Sequence, residues 1–576
     1  MVRRLLSTLN VEVSGVHQAA FLLAFASIAA KVLALLRDRI LASTFGAGEA
    51  LDIYFAAFRI PDFLYAASLL LTTSAVVIPF LLRRESESIE AARTFIAQLS
   101  AVFWVVMIAA AAGAYMAMPA LARLVTPGFS EEATAHLVTL ARILLLSPVL
   151  LGFSTLVSNV IQAHRRFFVY ALSPILYNAG IIIGVLWLYP FWGLPGLAWG
   201  VILGAVFHLA IQIPSLIHLG FFPRLLFRIR WQDIASVLKL SLPRSVGLGL
   251  NQGVFMVFTA IASALGAGSI AIFQLAYNLY GVPLGVIGLS YSVAAFPGFA
   301  RSVTEGKHRE FAEGVTNVTR YILFWSLPFV VLFIVLRAHI VRVILGAGAF
   351  GWADTRLTAA SLALFSVAIL TQSLVLLFVR AFYAAGHTIF PLIMNGIASA
   401  ASIAVGWGSV AMLARSPDLR YFIDSSLRVS DIPQTAVLAL AFAFSVGSVL
   451  NAVLLWFGFS RFFRVPLRTW TRPFIEHGVA AFALGGIAYG VLRSTASWFD
   501  LQTFWGVLGH GVFAALIGFV AAFAALWCFN NAELARVSGI FQNRRLTDLR
   551  GFLKSAIGRI RKTSVVAPEP RSPSEG

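Results

Sequence analysis

The chain has 576 residues, of which 59% are hydrophobic and 12% charged. Water-soluble domains carry about 25% charged residues, so this composition excludes an ordinary soluble fold and predicts an all-α polytopic membrane protein. A net charge of +19 would point a soluble protein toward nucleic acid. Here loop residues that orient membrane helices account for the charge, and no nucleic-acid partner is expected.

In chain order, the basic opening MVRRLLSTLN is not followed by a short apolar run with a small-residue cleavage site, so the first apolar segment reads as a retained helix. Apolar segments fall at about 17–43, 51–82, 94–118, 134–161, 168–190, 194–219, 234–264, 270–300, 316–341, 357–383, 389–413, 433–460, 474–493 and 504–529. These are fourteen candidate spans, each with the roughly 20 residues that cross about 30 Å of hydrocarbon. Between the sixth and seventh, FFPRLLFRIRWQDI (221–234) alternates Arg224, Arg228 and Arg230 with Leu, Phe and Trp, the pattern of a helix lying on a membrane surface. The chain after Asn530 is basic and ends in TSVVAPEPRSPSEG, a composition expected to be partly disordered. Cys528 is the single cysteine, so no disulfide can form within the chain.

An even number of spans puts both termini on one side. That side collects Arg83, Arg84, Arg93, Arg165, Arg166, Arg301, Lys307 and Arg309 as well as the basic tail. The opposite loops are poorer in Lys and Arg, and the positive-inside rule places both termini in the cytoplasm. ASTFGAGEALDIYFAAF (42–58) resembles ASALGAGSIAIFQLAYN (262–278), an offset of 220 residues. Repeats six spans apart keep the same orientation, which reads as two similar six-helix lobes with a transport site between them. The expected division is an N-terminal lobe over 1–220, an amphipathic linker over 221–233 and a second lobe over 234–460, then two further helices over 461–530 and a basic tail over 531–576.

A charge at mid-bilayer costs about 3 kcal/mol even on lenient scales. Yet SIAAKVLALLRDRIL (27–41) carries Lys31, Arg37, Asp38 and Arg39. The next segment carries Asp52 and Arg59, whose seven-residue spacing puts them on one helix face. The simplest arrangement is a hydrated cavity in the first lobe, with Lys31, Arg37 and Arg59 positive and Asp38 and Asp52 orienting them. Such a cavity suits an anionic group, a phosphate above all. Arg39, at the end of its segment, is expected to snorkel to an interface.

Other motifs carry little. GAGAFG (346–351) follows no strand, so it reads as a loop between spans. The histidines lack ligand spacing, so neither a metal nor a cofactor is expected. No phosphate-binding loop or nucleophile–base pair is recognisable, and an enzyme is not expected. The alternating charges of 414–432 read as a solvated loop.

KVLALLRDRILASTFGAGEALDIYFAAFRIPDFL (31–64) resembles the opening signature of the MviN/MurJ family. These are lipid II flippases of the multidrug/oligosaccharidyl-lipid/polysaccharide exporter superfamily. VRAFYAAGHTIFPL (379–392), GVIG (285–288) and ILGAGAF (344–350) fit the same family, and the resemblance runs over roughly 17–530. It implies a flippase in the cytoplasmic (inner) membrane of a bacterium, working by alternating access on a lipid-linked saccharide. Membrane lipids and cell-wall synthesis proteins are the implied partners. It also implies that Lys31, Arg37, Asp52 and Arg59 line the cavity that receives the headgroup. Typical members carry Arg-Arg and then Glu-Gly where this chain has Tyr65-Ala66 and Leu70-Leu71, and Asp-Arg where it has Tyr277-Asn278. In the family those arginines are thought to grip the pyrophosphate. The glycan therefore stays open between lipid II and another polyprenyl-pyrophosphate-linked saccharide. A cation-coupled drug exporter would favour carboxylates in the cavity. A non-transporting wall-synthesis scaffold would tolerate neutral residues at Lys31 and Arg37.

Overall fold

The computed structural model describes residues 16–222, 229–466 and 468–536. Every regular element among them is helical. The first long helix, α1 (Val16–Phe45), has 30 residues. Thirteen more helices among the described residues are long and apolar enough to cross a membrane. They are α2 (Glu49–Glu87), α3 (Ile89–Val125), α4 (Glu131–Ala163), α5 (Phe167–Trp192), α6 (Leu194–His218), α7 (Trp231–Ser263) and α8 (Ser269–Thr304). The series continues with α9 (His308–Val335), α10 (Trp352–Ala384), α11 (Ile389–Arg415), α12 (Thr435–Phe462), α13 (Arg468–Ser494) and α14 (Phe504–Cys528).

Residues 223–228 of the linker expected over 221–233 lie outside the described residues, and Trp231 already opens α7. The tail beyond 536 also lies outside. The segment read as a solvated loop at 414–432 contains a helix, Pro417–Leu427, with Asp424 buried beneath it. There Asp424 accepts from Thr435 Oγ1 at 2.9 Å.

Three long helices are interrupted where proline or glycine enters. In α2, Pro61 has no N–H to give the Ala57 carbonyl, and the helix breaks at Phe58. A second break follows at Thr73, whose ψ of 124° is extended. In α5 and α8 the ladder widens into π-turns at Gly184–Leu188 and Gly285–Leu289, each beside a proline (Pro190 and Pro283). Such π-turns recur at functional sites.

The helices sort into two groups. In the first, α1 packs on α5, α5 on α6, and α2 on α3 and α4. In the second, α10 packs on α8, α9 and α12, and α11 on α7 and α12. α13 and α14 pack on each other and against α9. α7 and α8 reach across to α1 and α2 of the first group. Two glycine rows bring α5 and α6 unusually close: a Cβ on Gly200 would lie 2.3 Å from Gly184 Cα, and one on Gly180 2.3 Å from Gly204 Cα. Without a hydrophobic drive inside lipid, such small-residue contact is what holds helices together.

The turns that join odd to even helices gather at one end of the bundle. There Ala349 N–H donates to the Ser43 carbonyl at 2.8 Å, and Gly128 N–H to Ser263 Oγ at 3.1 Å. At the other end Arg84 pairs with Asp233 at 2.6 Å and His164 lies 3.2 Å from Glu85.

Candidate functional site

The charges of α1 and α2 meet the second helix group along one hydrogen-bonded seam. Arg37 donates to Asp38 Oδ1 through Nε at 2.9 Å and Nη2 at 2.7 Å, and through Nη1 to Asn178 Oδ1 of α5 at 3.0 Å. The other oxygen of Asp38 accepts from Asn278 Nδ2 of α8 at 3.0 Å. Gln274 Nε2 donates to Asn278 Oδ1 at 2.8 Å, and Arg59 Nη2 donates to Gln274 Oε1 at 2.8 Å. Arg59 Nε ends the seam on Thr259 Oγ1 of α7 at 2.7 Å, with its guanidinium 5.4 Å from the Phe255 ring centroid. Buried charges persist only when paired or hydrogen-bonded, and here nearly every donor has a named acceptor.

Asp52 does something different. Its two oxygens accept from the backbone N–H groups of Gly268 at 2.6 Å and Ala271 at 2.7 Å. Those are the unpaired donors at the start of α8, and the helix dipole favours a carboxylate there. Asp52 thus caps, from one helix group, a helix of the other. Around it the turns interlock: a Cβ on Gly268 would sit 2.1 Å from the Ala47 carbonyl oxygen, at φ +92°. This end of the bundle is clasped shut by backbone contacts that leave no room for side chains.

The expected cavity placed Lys31, Arg37, Asp38, Asp52 and Arg59 together around water. The structure puts Asp52 and Arg59 in the interior, as their spacing implied, but on separate partners. Arg59 and Asp38 are seam residues with little or no exposure, and Arg37 keeps 20% of its side chain exposed. Lys31 is exposed, and its Nζ lies near Gly285 in the π-turn of α8. Arg39, expected to snorkel, is tied to named partners near the α9–α10 turn. It caps a short helix, donating through Nη1 to Val343 O at 2.6 Å and Ile344 O at 3.3 Å, and stacks on Phe504 of α14 at 5.6 Å. Tyr65 lies 3.3 Å from Thr155 Oγ1, and Ala66 is buried.

A cavity of about 620 Å³ opens mainly on the second helix group, lined by α7, α8, α10, α11 and α12 and by Ala75 of α2. Tyr277 and Tyr280 stand on its wall within an aromatic cluster, with Tyr277 4.6 Å from Phe255 and Tyr280 stacked on Phe365 at 5.5 Å. Arg244 and Arg380 also line it. No group of three or more possible metal ligands occurs among the described residues.

A family model described as "Lipid II flippase MurJ" matches residues 41–509. The chain belongs to the MurJ family. Among curated MurJ relatives, the lipid II flippase MurJ of Burkholderia cenocepacia is 24% identical over 480 residues, covering 80% of this chain and 87% of the relative. The probable lipid II flippase MurJ of Rhizobium tropici is 27% identical over 440 residues, covering 75% and 78%. A solved structure of MurJ in an inward closed conformation superposes with a TM-score of 0.70 at 21% identity, covering 88% of this chain and 98% of that one. An inward-facing MATE-family multidrug transporter gives 0.62 at 15% identity, covering 75% and 94%. At those identities the solved structures support the fold, a MurJ- and MATE-like multi-pass bundle.

Sequence reasoning missed the seam's partners on the second group, Thr259, Gln274 and Asn278. Asn278 was marked only as a missing arginine. A polar Gln-Asn pair four residues apart in an apolar segment was the available signal.

Proposed function

We propose that this chain moves lipid II across the cytoplasmic membrane by alternating access. The observation that carries this reading is the family match over 41–509 in a chain whose α1 sets Lys31 and the Arg37–Asp38 pair at the boundary between the helix groups. The positive-inside rule assigns the unclasped, arginine-rich end to the cytoplasm, with both termini there. The described state is then closed on the outer side by the Asp52 cap and the glycine turns. The headgroup enters from the inner side, and Lys31 and the open edge of Arg37 attract its phosphates. The clasp then parts while the inner ends close. Each charged hydrogen bond in the clasp contributes about 1.5–3 kcal/mol. Moving one charge across 100 mV supplies about 2.3 kcal/mol, so two or three charges suffice to part the two bonds of the Asp52 cap.

The test is rescue of a strain depleted of its own lipid II flippase. Growth should return with this chain at normal membrane abundance and fail with Arg37→Ala. Absence of rescue by the wild-type chain, present and correctly inserted, would sink the lipid II assignment.

A further inference from the structure

The seam leaves few cations of the first helix group free to hold a ligand. Arg59 is committed to Thr259 and Gln274, and Arg37 mainly to Asp38 and Asn178. Two other arginines are differently placed. Arg244 lies on the fourth turn of α7 and Arg380 four residues before the end of α10. Both are at the unclasped end, and both line the 620 Å³ cavity. Arg244 is exposed and has no hydrogen-bond or carboxylate partner among the described residues. Arg380 donates through Nη1 to Ser292 Oγ, which in turn donates to the Gly288 carbonyl at 2.6 Å. That chain ties Arg380 to the π-turn of α8 and leaves its remaining N–H donors toward the cavity.

Among the described residues, the cavity wall carries no Asp or Glu. Two like charges on one wall with no carboxylate between them raise the local potential for anions. Past the arginines the wall turns to uncharged amides, Gln372, Asn251, Asn395 and Asn451. That order, cations at the mouth and amides beyond, matches a headgroup whose anionic link is followed by sugar hydroxyls and amides. Arginine forks bind phosphate oxygens in pairs. A volume of this size is ordinary for a small-molecule site.

We propose that Arg244 and Arg380 form an anion site in the second helix group that holds the diphosphate of the lipid-linked substrate, in the place of the arginines missing at Tyr65, Ala66 and Asn278. The proposal rests on the flippase reading for its ligand but not for its location.

The experiment is native mass spectrometry of the purified full-length chain with three probes: lipid II, undecaprenyl diphosphate without sugars, and phosphatidylglycerol. Arg244→Gln and Arg380→Gln should each weaken both diphosphate lipids by about tenfold, the loss of one charged hydrogen-bonding group. The double variant should weaken them further. Arg380→Lys should keep part of the affinity, and phosphatidylglycerol should bind as before. Elution volume on gel filtration checks that each variant stays folded. Unchanged binding of both diphosphate lipids by the double variant overturns the site. Weakening of lipid II alone places a headgroup carboxylate there and overturns the diphosphate assignment. Equal weakening of phosphatidylglycerol reduces the pair to general lipid attraction and also overturns it. If the wild type fails to bind lipid II but binds undecaprenyl diphosphate through these arginines, the site stands and the lipid II assignment falls.

Discussion

Arg37 holds Asp38 with two donors and Asn178 with a third, so it fixes the carboxylate that Asn278 reaches from the other helix group. Truncation removes all three bonds and leaves Asp38 half-paired in the interior. Arg37→Ala should slow flipping of labelled lipid in proteoliposomes at least about thirtyfold, the rate equivalent of roughly 2 kcal/mol of charged hydrogen bonding. Arg37→Lys keeps one charge without the fork and should retain part of the rate. Neither should lower membrane abundance, because Arg37→Ala removes an intramembrane charge and so eases insertion, and Arg37→Lys leaves the charge count unchanged. Normal transport by Arg37→Ala would make the α1 charges structural. Arg39 belongs to another class. It satisfies the Val343 and Ile344 carbonyls and touches Phe504, away from the cavity. Arg39→Ala should lower thermal stability in detergent and leave the affinity for lipid II within about twofold, inside the spread expected for a distant site. A large loss of affinity with unchanged stability would place Arg39 at the ligand instead.

At the scale of single helices, α5 and α6 give the plainest test of packing. Gly180 and Gly184 face Gly200 and Gly204 with no space for a Cβ. Gly200→Val should therefore destabilise the chain by roughly 1–3 kcal/mol through overpacking. Gly113→Val, where a Cβ meets nothing within 4 Å, should leave the melting temperature unchanged. Equal effects of the two would remove the close-packing argument. The helix spans and the GAG turns repeated 220 residues apart were readable in the sequence, whereas the facing of these glycine rows shows only once α5 packs on α6. The site was less readable, for a definable reason. The seven-residue spacing of Asp52 and Arg59 gives their shared face but not their partners, because two turns set them about 10 Å apart along the helix. One side chain therefore caps α8 while the other turns to Thr259 and Gln274. Arg59's partners lie 200 and 215 residues away, a separation no local pattern encodes. Arg380 sat inside a recognised motif, VRAFYAAGHTIFPL, whose spacing says nothing of the cavity it lines.

For the whole molecule, two properties must agree: which end faces outward, and which end opens. Reporter fusions after Arg166 and Arg309 should read cytoplasm and one at Ser425 should read outside, since Ser425 lies in the short helix at the clasped end. A cytoplasmic signal at Ser425 would invert the orientation on which the transport cycle depends. Opening is tested at Gly268. Its φ of +92° and its contact with the Ala47 carbonyl belong to the clasped arrangement, and its N–H is one of the two that Asp52 accepts. Gly268→Ala adds a methyl where no space exists, so it disfavours the clasp specifically. Ser263 is buried beneath Gly128 at that end and accepts its N–H, so a cysteine there reacts with an impermeant maleimide only when the clasp parts. In a Cys528→Ser, Ser263→Cys background, Gly268→Ala should raise the labelling rate by about tenfold, the shift produced by roughly 1.4 kcal/mol. Gly306→Ala is the matched control. Gly306 has the same left-handed strain, φ +72°, but lies at the other end with nothing within 4 Å of its Cβ position. It should leave the labelling untouched, because strain alone does not reach across the bundle. Transport by Gly268→Ala should fall while substrate affinity measured from the inner side also falls, since a protein held open outward withholds its inner-facing state. If labelling stays at the background rate in Gly268→Ala, the glycine turns are static packing and the molecule opens elsewhere.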